Sequence, residues 1–461
     1  MKRLIKGGTA VTPEDAVAAD VLIEDGKIAA IGENLAAGSP DAEIIDAGGK
    51  ILFPGFIDPH THLEMTVAAG RTADDFATGT AAALAGGTTT VLDFAGQDKG
   101  VTLTQTLKDW HQKADGKSSC DYGFHIGLAE WNDETKKELR EMPDEGISSV
   151  KLYMAYDALM LDDAQIFETL RLADELGMTV SAHCENGLVI DELIEKYRKE
   201  GCLTPKYHPL SRPAAMEAEA VNRFLAIAEQ TGSTVYVVHL STQRGLRACL
   251  DAKERGQKLY IETCPQYLCL DDSCYDLPDF ESAKYVFAPP ARKVPDQKAI
   301  RQAIFDGIID TAGSDHCSFD FGSMKQKGRD DFSKIPNGIP GVETRPQLMF
   351  TETYAGLEGG LSYEDFSDLM SANAAKIYGM YPQKGALAPG SDADIVIWDP
   401  DWTGEITHDA LHMNVDYSPY EGYPVRGRAD EVLLHGETAY KDGAFVKKNA
   451  GHYVRRQTKQ A

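Results

Sequence analysis

The stretch SSVKLYMA, residues 148–155, decides how the chain is read. Two serines lead into a short apolar run of β-type, and a lysine sits inside it. Seven other segments share this strand pattern: GFIDPHTH (55–62), TTTVLDFA (88–95), YGFHIGLA (122–129), TVSAHCE (179–185), TVYVVHLS (234–241), LYIETCPQYL (259–268) and IDTAGSDHC (309–317). Between most of them lie stretches with helical periodicity, such as ADDFATGTAAALAGG, DAQIFETLRLADELG and EAEAVNRFLAIAEQTG. Eight strands alternating with helices predict an α/β fold, a (β/α)8 barrel. A doubly wound sheet gives no reason for the count to stop at eight.

The polar residues of these strands are not scattered. His60 and His62 end the first strand, Lys151 lies in the fourth, and His183 is near the end of the fifth. His239 is near the end of the sixth, and Asp315 ends the eighth. Barrel enzymes build their sites at the C-terminal strand ends. Residues two apart share a strand face, so His60 and His62 can grip one ion while Thr61 points away. One histidine in an apolar strand is ordinarily a hydrogen-bonded core residue, and His125 is read so. Four histidines and an aspartate at matching ends of one barrel point to a metal site. An ammonium beside cations is repelled, which favours a neutral or anionic Lys151. A neutral lysine amine can add carbon dioxide to form a carbamate, whose two oxygens can bridge two divalent ions.

Both chain ends differ from this middle. RLIKGGTAV and ADVLIEDGKIAAIG near the start, and SDADIVIWDP (391–400) and DEVLLHGETAYKDGAFV (430–446) near the end, read as short strands, with Asp-Gly turn signals at 25–26 and 442–443. They predict a small β-sandwich domain from residues 1–52 plus 388–461, beside a catalytic barrel from 53–387. The 461 residues carry 46 basic and 72 acidic side chains, a formal charge of −26, which argues against nucleic-acid and anionic-membrane partners. No window has the length of a membrane span, and no signal-peptide pattern is present. Eight cysteines in so long a chain do not make a disulfide framework. Cys264, Cys269 and Cys274 lack the CxxC spacing of a structural zinc site, and they are read as reduced thiols of a cytoplasmic enzyme.

Further motifs extend the pattern: FPGFIDPHTHLEM (53–65), GISSVKLYMAY (146–156), AHCENG (182–187), YHPLSRPAAMEAEA (207–220), ETCPQYL (262–268), GSDHC (313–317), IPNGIPGVETR (335–345), KGALAPGSDADIVIWDP (384–400) and YSPYEGYPVRG (417–427). Together they resemble the dihydropyrimidinase/hydantoinase family of cyclic amidohydrolases, in the amidohydrolase superfamily, with the bacterial D-phenylhydantoinase-like branch nearest. The resemblance implies two divalent ions per subunit, zinc by the family's habit. His60, His62 and Asp315 would hold one ion, His183 and His239 the other, and Lys151, modified to N6-carboxylysine by carbon dioxide, would bridge them. A hydroxide between the ions would be the nucleophile, with Asp315 moving its proton to the leaving nitrogen. Tyr156 matches the oxyanion donor. Asn337 and Ala288 match positions whose main chain contacts the substrate ring, although the family usually has serine at the latter.

The implied reaction opens 5,6-dihydropyrimidines or 5-substituted hydantoins to N-carbamoyl amino acids. Allantoinase, or another cyclic ureide hydrolase, is the alternative. A non-catalytic scaffold relative is disfavoured because every ligand position is filled. Dihydroorotases place an arginine two residues after the second histidine; here Glu64 stands there, and a carboxylate near the mouth would repel an acidic substrate. Met65, Val67, the AGQDKG turn (95–100), Leu152 and Leu159 are candidates for sensing the exocyclic group of a small cyclic ureide or imide. Strand geometry points Leu152 away from Lys151. The resemblance also implies a homotetramer or dimer, and the basic tail GHYVRRQTKQA is read either as docking on a neighbour or as frayed.

Overall fold

Eight parallel strands form the central barrel: β1 (Phe56–Thr61), β2 (Thr88–Gly96), β3 (Asp121–Gly127), β4 (Ser149–Tyr153), β5 (Thr179–His183), β6 (Val235–Val237), β7 (Leu259–Thr263) and β8 (Thr311–Ala312). The structure is a computed structural model and describes residues 2–459. Each strand pairs with the next in sequence, and a parallel bridge from Thr61 to His316 closes the ring. All eight expected strands are present, but β6 and β8 are only three and two residues long. The reason is local: His239 and Asp315 take left-handed backbone angles, with φ of 40° and 52°, which end the ladder just before the functional side chains.

The helices follow their start signals. Asp75 and Asp162 form capping boxes at Phe76–Ala85 and Asp163–Glu175, satisfying amide groups that have no partner inside the helix. The first of these departs from the amphipathic expectation, since every residue from Gly79 to Ala85 is buried. Its outer face is covered by Pro424–Leu434 and Glu437–Lys441, strands from the far end of the chain.

Both chain ends meet in one nine-stranded sheet. Ile395–Glu405 lies antiparallel to Ile51–Pro54, which lies parallel to Lys2–Val11, so the two termini are joined at the sheet's centre. Ile5, Val21, Ile23, Leu52, Ile395 and Leu433 form its own apolar core. The expected β domain from both chain ends is present as one continuously hydrogen-bonded sheet, with its register interrupted near Ile5, Trp398 and Val432.

The described part of the tail, up to residue 459, packs on the barrel of its own chain; the last two residues, 460 and 461, lie outside the described residues. It crosses the N-terminal face of the barrel, opposite the C-terminal strand ends. Tyr122 N donates to His452 O at 3.0 Å, Val454 N to Tyr122 O at 2.8 Å, Arg456 N to Gly146 O at 3.0 Å, and Lys459 N to Gly177 O at 2.9 Å. Arg456 is buried and donates to Ser149 Oγ at 2.9 Å and to the Phe124 carbonyl. Gly177 makes room for this path, because a Cβ there would lie 1.9 Å from Lys459 O. Removing residues 452–461 is expected to cost roughly 5 kcal/mol, from lost main-chain hydrogen bonds and the exposed barrel floor. A urea midpoint equal to that of the full chain would refute this anchoring role.

Candidate metal centre

The strand ends bring all six expected side chains to one cavity of about 620 Å³: His60, His62, Lys151, His183, His239 and Asp315. Asp315 Oδ1 lies 3.1 Å from His60 Nε2 and 3.3 Å from His62 Nε2, so three donor atoms converge. Across the floor, His183 Nδ1 and His239 Nε2 are 2.9 Å apart. Thr61 turns the other way and donates to Asp93 Oδ2 at 2.9 Å, as strand alternation requires. His125 is satisfied in the core by Ser149 Oγ at 2.6 Å and Pro59 O at 3.0 Å.

This donor set suits divalent cations. His60 Nδ1 donates to Glu262 Oε1 at 2.6 Å, leaving Nε2 buried with no well-formed hydrogen bond and aimed at the Asp315 side. His183 donates from Nε2 to Glu185 Oε2 at 2.9 Å, which leaves the Nδ1 lone pair facing His239. Burial, followed by the neighbouring His183, holds the His239 imidazole neutral by pushing its pKa well below the usual range. At His60 burial also opposes charge, but Glu262 and Asp315 outweigh it and raise its pKa to about 9. The cluster as a whole favours positive charge at that point.

Lys151 is 1% exposed, and its Nζ makes no hydrogen bond or ion pair among the described residues. Its Nζ lies over two rings, 4.7 Å from the centre of Phe94 and 5.4 Å from that of Tyr153. Burial drives its pKa down to about 8, with Glu262 and Asp315 pulling partly back. The amine is thus far more accessible in neutral form than that of an ordinary lysine.

Sequence reading missed the carboxylates behind the histidines. Glu262 links three strands, accepting from His60, from His239 N at 2.9 Å and from Tyr236 Oη at 2.8 Å. Glu185 couples His183 to Arg212, whose guanidinium lies 5.3 Å from the centre of the Tyr156 ring. A signal for Glu262 was present in LYIETC, since a glutamate in an apolar strand raises the same question as Lys151.

The Tyr156 residue adopts a left-handed φ of 71° that swings it over the cavity. Burial pushes its hydroxyl up to about 12, so it stays protonated, although the Arg212 guanidinium opposes part of that rise. Ala288, Asn337, Met65, Val67 and Leu159 all line the cavity. Leu152 does not: it is fully buried in the main core, on the strand face opposite Lys151. The 95–100 turn is also off the wall, and Lys99 Nζ ties it to Asp157 O at 2.8 Å. Glu64 corrects another expectation, because its carboxylate pairs with Arg71 at 3.0 Å and is not part of the cavity lining. It therefore supplies little repulsion there.

One further group of possible ligands among the described residues, Asp121, His435 and His452, lies at the opposite barrel end. The Lys384 ammonium already occupies it, bound to Asp121 and to Asp394 Oδ2 at 2.6 Å. The eight cysteines are all free thiols.

A closed parallel barrel that gathers imidazoles, a carboxylate and a lysine at the C-terminal strand ends defines a metal-dependent barrel enzyme. The chain belongs to the amidohydrolase family, whose profile matches residues 51–438, and within it to the hydantoinase and dihydropyrimidinase group of cyclic amidohydrolases. It is 46% identical to the D-hydantoinase of Geobacillus stearothermophilus over 459 residues, covering 99% of this chain and 97% of that one. The D-phenylhydantoinase of Escherichia coli O7:K1 (strain IAI39 / ExPEC) is 41% identical over 460 residues, 99% of this chain and 98% of that one. The crystal structure of dihydropyrimidinase from Brevibacillus agri NCHU1002 superposes with a TM-score of 0.97 at 45% identity, covering 100% of each chain.

Proposed function

We propose that this protein is a metal-dependent hydrolase that opens 5-substituted hydantoins or 5,6-dihydropyrimidines to N-carbamoyl amino acids. The observation that carries the reading is the sharing of one cavity by the His60–His62–Asp315 cluster, the His183–His239 pair, Lys151 and the Tyr156 hydroxyl. His60, His62 and Asp315 would hold one divalent ion and His183 and His239 the other, with a carbamate on Lys151 between them. The imidazole and carboxylate donors favour zinc. When bound, such ions polarise a carbonyl and acidify water.

The protein's own residues account for the rest. Burial works against a charged Asp315, but His60 and His62 outweigh it and hold the carboxyl well below its usual range, so it is an anion able to accept a proton. It takes that proton from the attacking water and returns it to the ring nitrogen as the C–N bond breaks, which balances the hydrolysis. Tyr156 donates its hydroxyl proton in a hydrogen bond to the carbonyl oxygen as charge grows there. The main chain at Asn337 and Ala288 reads the ring. Met65, Val67 and Leu159 offer an apolar wall to the exocyclic group, which suits an alkyl or aryl substituent better than the ureido group of allantoin.

The eight free thiols support a reducing cytoplasm as the setting, and among the described residues no helix is long and apolar enough to cross a membrane. Exposed Leu188, Val189 and Leu210, on the packed helices Gly187–Lys199 and Tyr207–Ser211, support assembly into a homotetramer or dimer. A panel of hydantoin, dihydrouracil, both 5-phenylhydantoin enantiomers, allantoin and dihydroorotate tests the reading. The hydantoins or dihydrouracil are expected to give the highest kcat/KM. A preference for allantoin or dihydroorotate, or no turnover after loading with zinc and bicarbonate, would overturn it.

A further inference from the structure

Lys325 lies in the charged run MKQKGRD, residues 324–330. In the folded chain it is 0% exposed. Its Nζ donates to the main-chain oxygens of Gly338 at 2.7 Å, Val286 at 2.8 Å and Pro336 at 3.2 Å. No carboxylate pairs with it among the described residues. A buried ammonium satisfied by neutral carbonyls alone is expensive to keep, and burial lowers its pKa to about 7. The three contacts give it a role in what they hold together.

The position of the three carbonyls suggests what that is. Val286 stands two residues before Ala288, and Pro336 and Gly338 flank Asn337 on either side. One ammonium thus joins the two separate backbone segments that face the ring-binding side of the cavity. Gly338 N reinforces the junction by donating to Val286 O at 3.0 Å. Gly338 has a φ of 152°, and a Cβ there would lie 2.5 Å from Cys317 O, so the 336–338 backbone packs closely against Cys317.

We propose that Lys325 is a positioning residue for substrate recognition: it locks the 286–288 and 336–338 segments together so that the main chain at Ala288 and Asn337 meets the ring in a fixed geometry. This rests on the reading of those two positions as ring contacts. Because Lys325 touches neither the metal ligands nor the reacting bond, its effect falls on binding.

The test compares the zinc-loaded enzyme with Lys325→Met, using hydantoin as substrate and its two ring-N-methyl derivatives as competitive inhibitors. The variant is expected to raise KM about 10- to 100-fold, the cost of a few disordered polar contacts, with kcat and metal content within a few-fold. It is also expected to narrow the gap between the KM for hydantoin and the Ki values of its methylated forms. Equal affinity for all three rings in the unaltered enzyme would defeat the main-chain reading and the proposal with it. Undiminished discrimination in the variant, or a loss confined to kcat, would defeat the role of Lys325 alone. Should Lys325→Met not accumulate folded, Lys325→Gln, which keeps an amide donor, goes through the same comparison with the same criteria.

Discussion

Replacing Lys151 with alanine is expected to remove metal and activity together while leaving the fold standing. The lysine is buried against Phe94 and Tyr153 and makes no polar contact of its own among the described residues, so the folded state owes it little. Deleting the side chain opens a small cavity but also removes a charge that is costly to bury, and these effects oppose one another. Turnover, by contrast, should fall by more than the ~10²–10⁴-fold that a single proton-transfer group supplies, because the bridging ligand itself is gone. Short carboxylic acids should restore part of it by entering the vacated space. Metal analysis, thermal unfolding and turnover with added acetate or propionate measure the three effects. Intact-protein mass should also show one added carbon dioxide on the parent chain and none on the variant. A variant that keeps full activity and full metal content would remove the bridging role.

Asp315→Asn is expected to separate chemistry from binding. The side chains are nearly the same shape, so the left-handed turn that presents residue 315 beside His60 and His62 should survive. What is lost is the negative charge and the ability to take up a proton. A kcat lower by about 10²–10⁴-fold, counted per metal-loaded chain, is the expected result. KM should move far less, since Ala288, Asn337 and the apolar wall are untouched. A kcat within tenfold of the parent would mean that another group carries the proton.

The barrel was legible because its signals are local. Strand runs bounded by helical stretches recur eight times, and in the first, fifth, sixth and eighth runs histidine or aspartate breaks the apolar pattern at or near the C-terminal end. His60, His62, Lys151, His183, His239 and Asp315 could be picked out one by one for that reason, with the resemblance supplying their roles. Other features depend on which segments meet. Leu152 was a candidate for the cavity and lies behind it, because alternation along β4 sends it to the core when Lys151 faces inward. Glu64 was read as a charge at the mouth, but a nearby hairpin brings Arg71 to neutralise it. The short, basic tail resembles a loose end, and only the floor of the barrel, lined by Gly146 and Gly177, shows where it belongs.

By itself the sequence determined the eight-strand alternation, the pairing of both chain ends and the inward-facing candidate metal ligands, because periodicity, turn residues and strand polarity act over a few positions. Only the tertiary structure decided what supports those residues. Glu262 reaches His60 from 202 positions away, and Lys325 joins carbonyls 39 and 13 positions distant. Such partners leave no periodic trace, since a buried charge is explained by whatever the fold places against it.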